Sequence, residues 1–252
     1  MEKVKTQKDR DYLKEYFQVV LYDTLLDAAF LGYHGRILVD NIRKPSILFV
    51  DVGHTFYYYG DAFGKEAKLF ASLVEDYAEI HASDDWVKRI KEAYPDKVDQ
   101  LTRYEMDDSS ISLSHLEEIV NKKDEDLIIK QIDEELYHRL IKQGWTSSMV
   151  ENFTSVEDFM EHGFGFVLLN KKGDILSGTS SFARYSKGYE VEVQTHISHR
   201  RKGYALLISA YFIKETLKQG KHAHWDAQNI HSKRLAEKLG YTLKRTYHII
   251  EV

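Results

Sequence analysis

The stretch Val191–Ile213, VEVQTHISHRRKGYALLISAYFI, decides the reading of this chain. It opens as an alternating strand. Val191, Val193 and Thr195 fall on one side, and Glu190, Glu192, Gln194 and His196 on the other. Arg200, Arg201 and Lys202 follow, then Gly203, then an apolar run that predicts a helix to about Lys218. The first four N–H groups of a helix have no partner within it. Their partial positive charge makes a helix start a seat for anions. A glycine there lets a phosphate approach the backbone with no Cβ in the way, and flanking cations add attraction and donors. Between Thr195 and Lys221 stand six Lys or Arg and one acid, in a chain whose 40 acidic and 35 basic residues leave a net charge of −5. The expectation is a phosphate or pyrophosphate at Arg200–Ala205. A solvated basic turn is the competing reading.

Composition narrows the field. With 43% hydrophobic and 13% aromatic residues, the 252-residue chain can build a substantial core. Its acidic balance argues against general nucleic-acid binding. Without cysteine there is no disulfide, thiolate metal site or cysteine nucleophile. The N-terminus MEKVKTQKDRDYLKEY is charged and lacks an apolar signal core. The longest apolar run, Tyr204–Ile213, is too short to span a bilayer. A soluble cytoplasmic protein without membrane contact is expected.

Two halves are expected, 1–125 and 126–252, with the polar segment MDDSSISLSHLEEIVNKKDEDL between them. In the first half, Leu13, Tyr16, Phe17, Val20, Leu21, Leu25 and Ala28 have helical spacing. Strand runs RILVDN and SILFVDVGHTFYYYG follow, then helices near 64–76 and 84–94 and a strand near 98–106. In the second half, SVEDFMEH begins with a near capping box. Strands GFVLLN, DILSGTSSFA and YEVEVQTHI come next, then the helix ending at Gly220. A strand KHAHWDA, a helix SKRLAEKL stopped by Gly240, and a final strand complete the pattern. Strands first in a meander, then alternating with helices, predict a mixed α/β (α+β) sheet flanked by helices.

RRKGYA, followed by WDAQNIHSKRLAEKLGY, resembles the GNAT acyltransferase superfamily over about 128–252. Within it the chain is similar to the subgroup that includes the zwittermicin A self-resistance acetyltransferase. The resemblance implies a GNAT-type sheet in the C-terminal half. It implies a loop at Arg200, Arg201, Lys202, Gly203, Tyr204 and Ala205 that cradles the pyrophosphate of acetyl-CoA. Backbone groups at Thr195 and Ile197 would meet the pantetheine, with Asn229 and Ser232 beside it. Glu190 or Glu192 would accept the proton of the amine, Glu190 slightly ahead. The implied activity is acetyl transfer to a primary amine of a small molecule, by direct attack in a ternary complex. The alternatives left open are an acyl-CoA-binding regulatory or scaffold protein and a nucleotide-binding module. A homodimer is left open as well. The smaller N-terminal α/β domain lacks a cofactor loop at YYYGDAFGKEA and leaves open a degenerate copy of the same fold.

Other residues have plainer readings. Asn229 and Ser232 are also ordinary helix-start residues. His222, His224 and Asp226 would share one face of a strand, but too few further ligands follow for a catalytic zinc, so no metal is expected. Trp145, Phe153 and Trp225 are expected in the core. Phe56–Gly60 is entertained as a substrate wall. Many GNAT enzymes place a tyrosine general acid four residues before the glycine that ends the last helix. Here that position is Ala236, which leaves the general acid open among Tyr204, Tyr241 and water.

Overall fold

A computed structural model describes residues 1–20, 23–74 and 76–252. The chain forms two compact units, one of residues 1–103 with 247–252 and one of residues 104–246. The expected boundary at 125/126 therefore moves toward the N-terminus. The reason is Leu116, which is fully buried in the core of the second unit, so its helix cannot be a linker.

The chain runs β1 (Glu2–Lys3), α1 (Gln7–Tyr16), α2 (Thr24–Phe30), β2 (Arg36–Val39), β3 (Ile47–Val52), β4 (Thr55–Gly60), α3 (Ala67–Ala71), β5 (Glu79–His81), α4 (Asp84–Ala93) and β6 (Asp99–Asp107). It continues with α5 (Leu113–Asn121), β7 (Ile128–Gln131), α6 (Glu134–Lys142), α7 (Val156–His162), β8 (Gly165–Leu169), β9 (Ile175–Tyr185) and β10 (Gly188–Thr195). Last come α8 (Tyr204–Lys218), β11 (His222–His224), β12 (Asp226–Ala227), α9 (Ile230–Leu239) and β13 (Thr242–Glu251). The helical spacing across 8–31 resolves into two helices, with Thr6 and Asp23 capping their starts. Leu21, counted in that spacing, lies outside the described residues.

In the first unit β1 to β4 form an antiparallel meander and β5 lies parallel to β4. Phe49, Tyr58, Phe70 and Trp86 fill its core. The Tyr58 hydroxyl donates to the Phe70 carbonyl (3.0 Å), and Trp86 Nε1 donates to the Gly60 carbonyl (3.1 Å). Phe56 and Tyr58, part of the run expected as a substrate wall, thus belong to this core, while Tyr57 stacks on His81 with ring centroids 4.5 Å apart. In the second unit β7 to β10 form the same antiparallel meander, and β11 lies parallel to β10. Counted from β1 and from β7, each meander has two α-helices after its first strand and one α-helix between its fourth strand and the parallel fifth. The element order is duplicated where the sequence shows no repeat.

Helix α8 is the centre of the second core. Ile208, Ala210, Phe212 and Ile213 are fully buried, and Phe212 stacks on Phe164 with ring centroids 4.7 Å apart. Ser209 reconciles a hydroxyl with this burial through Thr179 on β9 (3.1 Å). Val191 and Val193 pack against the same cluster, so the valine face of β10 is the inner one, as the alternation predicts.

Candidate active site

Strand β10 pairs with β11 only from Gly188 to Glu190, where Glu190 stands opposite His224. Beyond that point β10 continues to Thr195 against β9 alone, with a register shift between Glu190 and Val191. The strand expected at KHAHWDA breaks at Trp225. Its second piece, β12, pairs with Tyr104 and Glu105 of β6 instead. Two parallel strands therefore part, and the β10 edge from Val191 to Thr195 has no strand partner among the described residues. An open row of backbone donors and acceptors inside a folded unit needs a partner. An extended molecule carrying amide groups has donors and acceptors that match such an edge.

At the end of this edge a short 3₁₀ turn, Ile197–His199, leads into the cation loop. Arg201 and Gly203 both have left-handed backbones, φ 66° and 82°. Gly203 caps α8 with no side-chain hydrogen bond. A Cβ built on it would meet nothing within 4 Å. The space beside Gly203 at the start of α8 is thus open, with Arg201 and Lys202 exposed next to it. This fits a diphosphate. Arg200 turns back toward the Thr195 carbonyl (Nε at 3.4 Å), and Lys202 Nζ lies 3.4 Å from His199 Nδ1. Ile197 is exposed, and Tyr204 and Ala205 begin the helix half-buried. Gly60 of the first unit is different: its Cβ would meet the Ser46 carbonyl oxygen at 2.1 Å, so backbone already fills that space.

The two candidate carboxylates differ. Glu190 is only 8% exposed. It accepts from His224 Nδ1 at 2.5 Å and from the Asp226 N–H at 3.3 Å. Glu192 accepts at one oxygen, Oε1, from Ser148 Oγ and Gln194 Nε2, both at 2.7 Å. Its Oε2 has no partner among the described residues. Burial pushes the Glu192 carboxyl up from the ordinary range. The hydrogen bonds from Gln194 and Ser148 oppose this, and the neighbouring Glu151 and Glu190 charges reinforce it. A fixed carboxylate with one free oxygen and a raised pKa has the attributes of a general base. Glu190 is held in a buried pair with His224, whereas Glu192 keeps one carboxylate oxygen free of protein partners among the described residues. Ser148 was missed in the sequence. It comes from a turn more than 40 residues away, and no local pattern marks it.

The remaining candidates separate. Asn229, an exposed residue, caps α9, its Oδ1 accepting from the N–H groups of His231 (2.9 Å) and Ser232 (3.0 Å). Ser232 Oγ accepts from Trp225 Nε1 at 3.0 Å. His222 pairs with Asp108 (2.8 Å), whereas His224 pairs with Glu190. Among the described residues no group of three or more His, Asp or Glu is placed to hold a metal ion. Trp225 and Phe153 are core residues, and Trp145 stands edge-on to His196 with ring centroids 5.2 Å apart. Ala236 is fully buried, so a tyrosine ring has no room there. Tyr241 is also buried. Its hydroxyl donates to the Ala223 carbonyl at 2.6 Å, and burial holds its pKa well above the phenol range.

A family model described as GNAT acetyltransferase matches residues 14–250. The chain belongs to the GNAT acetyltransferase family. The match reaches well beyond the segment 128–252 and takes in most of the first unit. The N-acetyltransferase YdfB of Bacillus subtilis (strain 168), itself described as uncharacterized, is 24% identical over 258 residues, covering 98% of this chain and 93% of the relative. A GCN5-related N-acetyltransferase-like protein of Streptococcus suis 89/1591 superposes with a TM-score of 0.87 at 29% identity, over 98% of this chain and 99% of that one. A GCN5-related N-acetyltransferase from Kribbella flavida shares the fold at TM-score 0.56 and 13% identity, over 88% and 91% of the two chains. The protein is an N-acetyltransferase with a mixed α+β fold. Among the described residues no helix is long and apolar enough to cross a membrane.

Proposed function

We propose that the protein transfers an acetyl group from acetyl-CoA to a primary amine of a small molecule, by direct attack in a ternary complex. The observation that carries this reading is Glu192, with its free Oε2 and raised pKa, on the strand whose edge is unpaired. The pyrophosphate would lie against the backbone of Arg200–Ala205, the pantetheine along Thr195 and Ile197, with Asn229 and Ser232 beside it. Bound there, the cosubstrate supplies an acyl carbon activated as a thioester and a thiol leaving group.

The chain's own residues do the rest. A primary ammonium titrates near 10, like lysine, and must lose a proton before its lone pair can attack. Glu192 Oε2 takes that proton. Ser148 and Gln194 keep Oε1 in place, so the base is oriented before the amine arrives. The acids Glu151 and Glu192 favour a cationic acceptor. Trp145 and His196 add an aromatic wall. The thiol leaves with little need of an acid, since thiols titrate near 8.5. The subgroup resemblance of YEVEVQTH and WDAQN supports a small-molecule acceptor. The first unit binds no coenzyme A, in keeping with its filled Gly60 turn and the five-residue α3.

The test is a panel of primary amines assayed for acetyl-CoA consumption, with wild type against Glu192→Gln. Turnover of an amine by the wild type, lost about a hundredfold in the variant, supports the reading. Equal rates in both would remove Glu192 from it.

A further inference from the structure

A cavity of about 250 Å³ opens in the first unit, where β1, α1, the end of α2 and the start of β2 meet. Val4, Ala29 and Ile37, all buried, form its apolar side. Lys3, Lys5, Arg10 and Arg36 line the rest, with Gly35. Four of the eight lining residues are cations and none is an acid, in a chain of net charge −5.

The fold gathers these charges and pairs only one of them. β1 and β2 are antiparallel with Lys3 opposite Leu38, and the Val4 N–H donates to the Ile37 carbonyl (2.9 Å). One step further along, Lys5 comes level with Arg36, and like charges facing each other across paired strands are destabilising. Arg36 Nε meets Asp51 at 2.6 Å. Lys3, Lys5 and Arg10 have no carboxylate partner among the described residues. The acids nearest to them in the chain are engaged elsewhere. Glu2 Oε1 accepts from the Ile42 N–H (3.3 Å), Asp9 Oδ2 from Thr6 Oγ1 (2.6 Å) and Asp11 Oδ1 from Gln7 Nε2 (2.9 Å). Arg10 is half-buried, and its guanidinium lies against the turn at Gly32, where a Cβ would meet Cζ and Nη1 at 3.0 Å. Three cations without counter-charge exceed what one carboxylate carries. A phosphate group brings about −1.5 to −2 at neutral pH and three acceptor oxygens. An arginine fork matches two of those oxygens, and lysines add point charges. The volume falls just under the roughly 300–1,000 Å³ of pockets for drug-sized ligands, so the ligand is small.

We propose that this cavity binds a small phosphate, with Arg10 donating to two of its oxygens and Lys3 and Lys5 supplying counter-charge. The phosphate has two sources, the inorganic ion or a phosphomonoester of a small metabolite. The proposal stands apart from the acetyl-CoA reading, since every lining residue belongs to the first unit.

The experiment is calorimetric titration of the full chain with inorganic phosphate, with glycerol 3-phosphate and with succinate, a dianion without phosphorus. Wild type is compared with Lys3→Glu/Lys5→Glu, two exposed positions, and with the milder Lys5→Gln, each fold being checked by circular dichroism. Gly203→Asp, which places a carboxylate at the cation loop of the second unit, is the control for binding there. A phosphate should bind wild type and Gly203→Asp alike. The double variant should bind it at least about tenfold more weakly, the loss of one charge-assisted contact, and Lys5→Gln should fall between. Tighter binding of the ester assigns the site to a phosphorylated metabolite, and tighter binding of the free ion assigns it to inorganic phosphate. No binding of either phosphate to wild type at millimolar concentration overturns the proposal. So does binding unchanged in the folded lysine variants, binding lost in Gly203→Asp, or succinate binding as tightly as the phosphates.

Discussion

His224 Nδ1 donates to the Glu190 carboxylate at 2.5 Å, at the last position where β10 and β11 are paired. His224 also hydrogen-bonds Glu105. One imidazole thus ties two buried carboxylates together where the strands separate. Removing it takes a donor from both, although Glu190 keeps the Asp226 N–H and Glu105 keeps Lys244 and Arg245; breaking a buried pair costs up to about 3–5 kcal/mol. His224→Ala should lose stability on that scale in urea unfolding. Glu190→Gln keeps an acceptor oxygen and should lose less. Equal, small losses in both variants would mean that the pair contributes nothing to holding the junction.

Glu192 should behave in the opposite way. Burial favours its neutral acid in the folded protein, so folding takes up a proton between the ordinary value of 4.5 and the raised one. Its contribution to stability is therefore greatest below 4.5 and falls as the pH rises through that window. Glu192→Gln resembles the neutral acid and should be at least as stable as wild type at neutral pH. Activity should run the other way, with kcat/KM rising with pH as Glu192 loses its proton and that limb vanishing in Glu192→Gln. Thermal melts and rate profiles across pH measure both. A wild-type limb that survives the substitution assigns the titration to another group.

Glu105 sets a limit on the acid side. Burial raises its pKa, but hydrogen bonds from His224, Lys244 and Arg245 outweigh this and bring it to about 2. Lys244 Nζ and Arg245 Nε each lie 2.5 Å from its carboxylate. A carboxyl lowered from 4.5 contributes stability that is complete above that value and is lost as the pH falls through about 2. Glu105→Gln should cost about 3 kcal/mol at neutral pH and very little near pH 2, from the same linkage. A loss independent of pH would point to packing instead of charge.

The sequence carried the parts of this site that are local. Alternation marked the two faces of β10, and the cations with Gly203 marked the loop, because both signals lie within a few residues of each other. The separation of β11 from β12 was not legible. KHAHWDA reads as one strand, and only its two partners, β10 and β6, break it at Trp225. The different surroundings of the two carboxylates were hidden for the same reason. Glu190 and Glu192 share a face and a residue type, and the difference lies in His224 against Ser148, both distant in the chain. The duplicated element order left no sequence repeat. Packing constrains only the hydrophobic pattern, and many sequences satisfy it.

The two glycines that open the corresponding loops invite a paired test. Gly203 and Gly60 both have left-handed backbones, φ 82° and 87°. A side chain at Gly203 points into open space, whereas one at Gly60 meets the Ser46 carbonyl oxygen at 2.1 Å. Gly60→Ala should therefore damage folding of the first unit, since neither backbone can yield cheaply. Gly203→Asn should fold, because Asn tolerates the left-handed region. It should weaken acetyl-CoA by crowding the approach of the phosphate alone. Gly203→Asp has almost the same shape and adds a negative charge beside the proposed diphosphate. The ratio of the two affinities isolates the electrostatic part, and at least about tenfold is expected, the scale of one charge-assisted contact. Calorimetry on the folded variants measures it. Equal binding by the Gly203→Asn and Gly203→Asp variants would mean that no anion sits against the start of α8.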